Sequence, residues 1–467
     1  MNNGILFKSN SGNKYFYDNI TGHIVNVNGG EDSKILNKYR NINHNGFNKL
    51  IDVQPKDIES YLFHDANGFK QLILEVTSCC NLRCKYCTYS DNYEFTRPHG
   101  NNFMTFDIAK AAVDYYFKSF EEVYNRNPGR KPIISFYGGE PLINFKLIKE
   151  VVEYVNDRYK EYKEDIQWHT TTNGLLLDDK AQDFLHENKF NVLISIDGYK
   201  DNHDRNRLSV DGHPTFDKAY ENYFRFKKRY PKQSVYISAC YDLKTNMDKF
   251  ASEVDEKEIE VLRASMVSSS DKYYSQFSSG DKKTFIENYN KIKEKFFDKA
   301  INGTLKKGEF LYNFFVDIYG SFAYHRMIGE TLPDIRPCTS TCVPGEKIYV
   351  ESDGNFILCE KVNNKRKIGN VYSDLNYSEI ANILNEYNNT LLNHCKSCEI
   401  SKFCTLCFKD FCKSDSFKYE ENVCMTQINA VKQLLLDYVN LLEQNPKLFQ
   451  EITTDYYTRL NALGEVI

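Results

Sequence analysis

The stretch Cys80-Asn-Leu-Arg-Cys84-Lys-Tyr-Cys87 constrains this chain more than any other. It follows an apolar run, Gln71-Leu-Ile-Leu-Glu-Val76, that reads as a β-strand, so three thiols collect on one loop at a strand's C-terminal end. Such a loop holds three corners of one metal cluster and leaves the fourth iron of a cubane to an outside ligand, as a catalytic metal keeps an open position. A zinc site usually pairs Cys-x2-Cys with a second such pair, and a structural disulfide needs an oxidising compartment. Cys79, one place too early for the pattern, is expected to be a small packed side chain.

Composition narrows the setting of that loop. The first residues, Met1-Asn-Asn-Gly-Ile-Leu-Phe-Lys, lack the apolar core of a secretion signal, so the fourteen cysteines read as reduced metal ligands in a cytoplasmic protein. No run approaches the ~18 apolar residues of a membrane span. A formal net charge of −4 lacks the basic excess of a nucleic-acid binder, so neither a membrane nor a nucleic acid is an expected partner. Length allows two to three domains.

Cys-x3-Cys-x2-Cys with the aromatic Tyr86 before its last cysteine resembles the radical S-adenosylmethionine (SAM) enzymes. The resemblance implies that Cys80, Cys84 and Cys87 hold a [4Fe–4S] cluster whose open iron is chelated by SAM, with Tyr86 beside the cofactor. SAM is then cleaved to methionine and a 5′-deoxyadenosyl radical, with electrons from a donor such as flavodoxin or ferredoxin.

Before this loop, Lys14–Tyr17 and His23–Val27 flank an Asp/Asn/Gly turn and read as a hairpin, followed by weak helical stretches near 31–39 and 55–63. Residues 1–70 are expected to form a small winged-helix-like domain that recognises a precursor peptide's leader by adding it to a sheet edge, or else a capping extension of the next domain. From 71 to 265, six strand candidates (71–76, 132–136, 166–171, 191–196, 234–240 and 259–263) alternate with amphipathic helices such as 105–120, capped by Thr105, and 147–159. Repeated βα units imply a parallel sheet, and six resemble the partial (β/α)6 barrel of radical SAM enzymes. The fold class is therefore α/β.

In barrels the loops after the strands build the site. Gly138 and Gly139 are expected to let backbone approach a ligand, with Glu140 accepting from an amine. The run resembles the family's Gly-Gly-Glu-Pro motif, which implies binding of the SAM amino group. By the same resemblance Ser195 meets the ribose and Arg207 the carboxylate, while Asn173 and Asp197 line the same cavity. His203 reads as an ordinary hydrogen-bonder and Cys240 as core.

After a helical connector (266–335) the cysteines return: Cys338, Cys342, Cys359, Cys395, Cys398, Cys404, Cys407, Cys412 and Cys424. Two cubanes need eight ligands, and paired zinc sites would use the same count. The order resembles the SPASM domain (336–425), which implies two auxiliary [4Fe–4S] clusters and three in all. The outer set would be Cys395, Cys398, Cys404 and Cys424. The inner would be Cys342, Cys359 and Cys407, with either Cys338 as fourth ligand or one iron left open to a substrate thiolate, and with Cys412 as substitute for Cys407 because two residues, not the usual three, separate Cys404 from Cys407. A C-terminal helix completes the chain (426–467).

The resemblance implies a maturase of ribosomally made peptides that forms a thioether from a Cys sulfur to a carbon. A sulfatase-maturating enzyme that makes formylglycine is the alternative. There a catalytic Asp follows the cysteine aligned with Cys359, and here that position is Glu360. Carbon–carbon or carbon–oxygen cross-links and a non-catalytic metal-binding peptide scaffold are further readings.

Overall fold

The computed structural model describes residues 4–28, 34, 52–93, 98–267, 271–324, 335–339, 341–362, 366–413 and 416–463. The chain opens with β1 (Gly4–Lys8), β2 (Lys14–Asp18) and β3 (Ile24–Asn26), antiparallel in that order. The expected hairpin is β2–β3, and β1 extends it. Its turn closes where Asp18 accepts from the Thr21 amide (3.1 Å) and hydroxyl (2.7 Å) and Gly22 takes φ +77°. Of the two expected helices, 31–39 lies outside the described residues apart from Lys34, and the other is the short α1 (Pro55–Glu59) followed by one wide turn, Ser60–His64.

Six strands follow: β4 (Gln71–Thr77), β5 (Ile133–Gly138), β6 (Gln167–Thr172), β7 (Asn191–Ser195), β8 (Val235–Tyr241) and β9 (Val261–Met266). They lie side by side in chain order and all parallel. The helices between them include α2 (Phe106–Tyr124), α3 (Phe145–Arg158), α4 (Asp179–Glu187), α5 (Lys200–Asn206), α6 (Phe216–Arg229) and α7 (Met247–Glu256). Thr105 caps α2, its hydroxyl accepting from the Ile108 amide at 3.4 Å. The strands alternate: Val192, Ile194, Val235, Ile237 and Ala239 are fully buried, whereas Ser195, Tyr236, Ser238 and Cys240 on the opposite face are half-buried. That second face is the barrel interior.

A long helix, α8 (Ser279–Ile301), dominates the first half of the connector. Beyond it, β10 (Lys347–Val350) pairs parallel with β4, and β11 (Asn355–Ile357), β12 (Gly369–Asn370) and β13 (Asp374–Leu375) continue the sheet antiparallel to ten strands. The chain ends in α9 (Tyr377–Cys395), α10 (Glu421–Gln444) and α11 (Pro446–Leu463). Among the described residues no helix is long and apolar enough to cross a membrane.

The compact units do not follow the expected borders. The first comprises Met1–Tyr61, Phe315–Val343 and Tyr377–Arg459; the second comprises Leu62–Phe314, Pro344–Asn376 and Leu460–Ile467. Residues 1–70 are therefore not a unit by themselves, because a three-stranded sheet is too small to bury a core alone. Tyr17 packs on Phe403 (centroids 4.9 Å), and the Asn19 amide donates to the Cys398 carbonyl (3.0 Å) and Ser401 hydroxyl (2.8 Å). The expected cysteine domain 336–425 is likewise divided. Its middle, 344–376, joins the barrel's unit because β10 is laddered to β4 and the buried pair Lys70–Glu346 (3.0 Å) ties the start of that ladder.

Candidate active site

The cysteine loop leaves β4 as an irregular strand laid on the segment after α5. Arg83 N donates to the Leu208 carbonyl (2.8 Å), Lys85 N to that of Asn206 (2.9 Å), and Val210 N to that of Asn81 (3.1 Å). Cys84 is buried and Cys80 and Cys87 half-buried, all three as free thiols. Burial pushes the Cys80 thiol up to about 11 and Cys84 to about 12, and raises Cys87. No three His, Cys, Asp or Glu side chains among the described residues converge on a single-ion cage. A cubane gives each thiolate its own iron and does not require one. Cys79 is half-buried rather than packed away, its Sγ 3.8 Å from Asn101 Oδ1.

Gly138 and Gly139 both lie against the backbone of the cysteine loop's root. A Cβ on Gly138, at φ +139°, would stand 2.1 Å from the Thr77 carbonyl oxygen; one on Gly139 would stand 2.2 Å from that of Cys79. The close approach is backbone to backbone. Gly139 N donates to Thr77 O (2.9 Å) and Glu140 N to Cys79 O (2.8 Å), so the strand-end turn after β5 clamps the root of the cysteine loop.

Glu140 is 1% exposed, yet its carboxylate is well served: Oε1 accepts from the Thr172 hydroxyl (2.7 Å) and Leu142 N (3.1 Å), Oε2 from Asn173 N (2.7 Å). Burial raises its carboxyl; those bonds and Arg207 oppose the rise. Three donors leave one of about four lone-pair sites on the two oxygens for an amine. Asn173 turns its side chain to the cysteine loop, donating to Asn81 Oδ1 at 2.7 Å. Ser195 ends β7 on the interior face, half-buried.

Asp197 does not line a cavity: it is fully buried. Its Oδ1 accepts from Cys240 N (2.9 Å) and its Oδ2 from the Tyr86 hydroxyl (2.5 Å), while Arg207 NH1 donates to the same hydroxyl at 2.8 Å. Burial raises the Asp197 carboxyl and Arg207 pulls it down. The Nε–H of Arg207 is buried without a hydrogen-bond partner. Arg207 is close enough to act electrostatically on Cys80, Cys84, Cys87 and Glu140. His203 is a satisfied hydrogen-bonder, facing Asp197 N (3.3 Å) and the Thr215 hydroxyl (3.1 Å). Cys240, expected as core, is half-buried on the interior face.

Sequence reasoning missed the tyrosine–aspartate link and the parts played by Thr172 and Asn81. The only local signal was Asp197 in a strand-end turn before Gly198, and neither its partner nor its depth can be had from that.

In the first unit, the Cys404 thiol is raised to about 12 and Cys424 to about 11, by burial first and then by the thiols around them: Cys395 and Cys398 act on both, and Cys424 on Cys404. The expected outer set thus lies together. Cys338, expected to close the inner set, is buried and lies beside Cys395. Cys407 caps the short turn Phe408–Phe411, Cys412 starts a two-residue strand, and Cys342 is exposed. Cys359 belongs to the second unit, where its thiol donates to Glu360 Oε2 at 3.1 Å. Burial would raise the Glu360 carboxyl, but Lys361 and that thiol hold it below its usual range.

Residues 74–248 match the Radical SAM superfamily. The chain is 39% identical over 136 residues to the uncharacterized protein MJ0907 of Methanocaldococcus jannaschii, covering 29% of this chain and 41% of that one. It is 26% identical over 343 residues to the cysteine-type anaerobic sulfatase-maturating enzyme of Clostridium perfringens strain 13, covering 71% of this chain and 86% of that enzyme. The solved structure of native anSMEcpe with bound AdoMet and Cp18Cys peptide shares the fold, with a TM-score of 0.58, 20% identity and coverage of 82% and 99%.

Proposed function

We propose, from the match of residues 74–248 to the Radical SAM superfamily, that this enzyme modifies a ribosomally made precursor peptide. The observation that carries the reading is the convergence in the second unit of three free thiols, the Glu140 carboxylate and the partnerless Nε–H of Arg207. Cys80, Cys84 and Cys87 would hold a [4Fe–4S] cluster. Glu140 would receive the amino group of SAM, Arg207 its carboxylate and Ser195 its ribose. When bound, cluster and SAM supply a 5′-deoxyadenosyl radical that removes a hydrogen atom from the peptide. The chain's own part is to fix these groups and exclude water: Gly138 and Gly139 pin the cysteine loop, Asn173 bridges it to β6, and the interior face of the sheet would enclose the reacting atoms.

The product we favour is a thioether between a Cys sulfur and a carbon of another residue. The outer cysteines, Cys395, Cys398, Cys404 and Cys424, with Cys338 beside Cys395, would hold an auxiliary [4Fe–4S] cluster in the first unit. A second auxiliary cluster would bring the total to three. The β1–β3 sheet would take the peptide's leader along an edge, and a flavodoxin or ferredoxin would supply electrons in the cytoplasm. The likeness to a sulfatase-maturating enzyme across 86% of its length keeps formylglycine formation as a second reading, with Glu360 as the acid–base group.

Mass spectrometry decides between them. Reduced, reconstituted enzyme is incubated with SAM and a Cys-containing precursor peptide encoded beside the gene. Loss of two hydrogens per cross-link with one Cys thiol consumed supports the thioether; an aldehyde at one Cys supports the sulfatase reading. Absence of 5′-deoxyadenosine in every incubation overturns both.

A further inference from the structure

The radical SAM reading gives Arg207 a task but leaves Tyr86 and Asp197 without one. Three facts set them apart. Asp197 is fully buried and held from three sides: Cys240 N on Oδ1, the Asn202 side chain on its carbonyl (2.9 Å) and His203 against its amide. Its remaining oxygen is occupied by the phenol of Tyr86, whose backbone lies between the cluster cysteines Cys84 and Cys87. That phenol is in turn the acceptor for Arg207 NH1, leaving Nε–H buried with nothing to donate to.

A buried guanidinium with one edge tied and one donor idle is prepared for an anion, because an unmet buried donor costs more than a made one returns. A carboxylate two bonds away through a phenol neutralises the charge without touching the guanidinium. That keeps Arg207 from collapsing onto Asp197 as a direct ion pair, which would consume both edges. The tether also runs through the cysteine loop itself, so the position of the guanidinium is set relative to the cluster and not only to the barrel.

We propose that Tyr86 and Asp197 are positioning residues that aim Arg207 at the carboxylate of SAM, coupling cofactor binding to the seating of the cysteine loop. The inference rests on the SAM reading above and deepens it. Neither residue touches a reacting atom. Tyr86→Phe removes the bridge together with the phenol's contact to the Cys240 thiol. Asp197→Asn keeps the shape but must turn its NH2 group toward either Cys240 N–H or the phenol, which already receives a donor from Arg207.

The test is equilibrium binding to the reconstituted holoenzyme under anaerobic, non-reducing conditions, so that no turnover enters. Two ligands are compared, SAM and decarboxylated SAM, with iron per chain and the thermal midpoint measured on each variant. Loss of one charge-assisted hydrogen bond corresponds to about tenfold in affinity. Tyr86→Phe and Asp197→Asn are expected to bind SAM about tenfold more weakly than wild type, with iron content unchanged, while decarboxylated SAM binds all three proteins alike. A Tyr86→Phe enzyme that binds SAM as wild type does, or loses the same factor for both ligands, overturns the proposal. Wild-type holoenzyme that binds no SAM overturns instead the reading beneath it. Should Asp197→Asn fail to load iron, Tyr86→Phe, which deletes a single oxygen, decides alone.

Discussion

Gly139→Ala tests the clamp between the β5 turn and the cysteine loop. A Cβ there would stand 2.2 Å from the Cys79 carbonyl oxygen, 2.5 Å from its carbon and 2.9 Å from the Ser78 carbonyl oxygen. All three are backbone atoms that no rotamer change can move. Reaching ordinary van der Waals separation requires a displacement of about 1 Å. That displacement stretches Gly139 N to Thr77 O and Glu140 N to Cys79 O, now 2.9 and 2.8 Å. Two lost bonds at about 1 kcal/mol each, with about 1–3 kcal/mol for the intruding methyl, give about 3–5 kcal/mol. The strain falls at the root of the loop that carries Cys80. Gly212→Ala is the control. Gly212 has φ +80° but nothing within 4 Å of an added Cβ, so it meets only the left-handed backbone penalty of about 1–2 kcal/mol. Anaerobic reconstitution followed by iron analysis and urea denaturation reads both effects. Gly139→Ala should bind about four fewer irons per chain and unfold at markedly lower urea; Gly212→Ala should keep its iron. A Gly139→Ala protein with full iron and an unchanged midpoint would refute the clamp.

The other predictions concern neighbouring groups. Replacing Cys80, Cys84 and Cys87 together by Ala should abolish 5′-deoxyadenosine formation in an HPLC assay and remove about four irons while sparing the rest. Glu140→Gln turns an amide NH2 toward at least one of the donors on Glu140, so thermal unfolding should show a loss of about 1–3 kcal/mol. Lys70→Met removes the partner that Glu346 holds at 3.0 Å and leaves its carboxylate to Arg130 and its other contacts. A loss of about 1–3 kcal/mol is expected in denaturant titration, and adding Glu346→Leu should recover most of it. If the double variant is as unstable as the single, the pair is not the reason.

The features legible from the residue order alone were local and periodic. Alternating runs placed the six parallel strands to within a few residues, Thr105 marked the start of α2, and Gly138, Glu140, Asn173 and Ser195 fell on strand-end loops or at a strand's end. These depend on spacing along the chain, which the sequence carries directly. Tertiary structure decided which loops meet. That β10 joins the barrel sheet, that residues 1–61 share a unit with 377–459, that Cys338 lies beside Cys395, and that Tyr86 bridges Asp197 to Arg207 all pair residues dozens to hundreds apart. The physical reason is burial. Asp197 and Arg207 are ordinary turn and helix-end residues until packing strips their water away, and only then does each charge depend on one partner reached through a third residue.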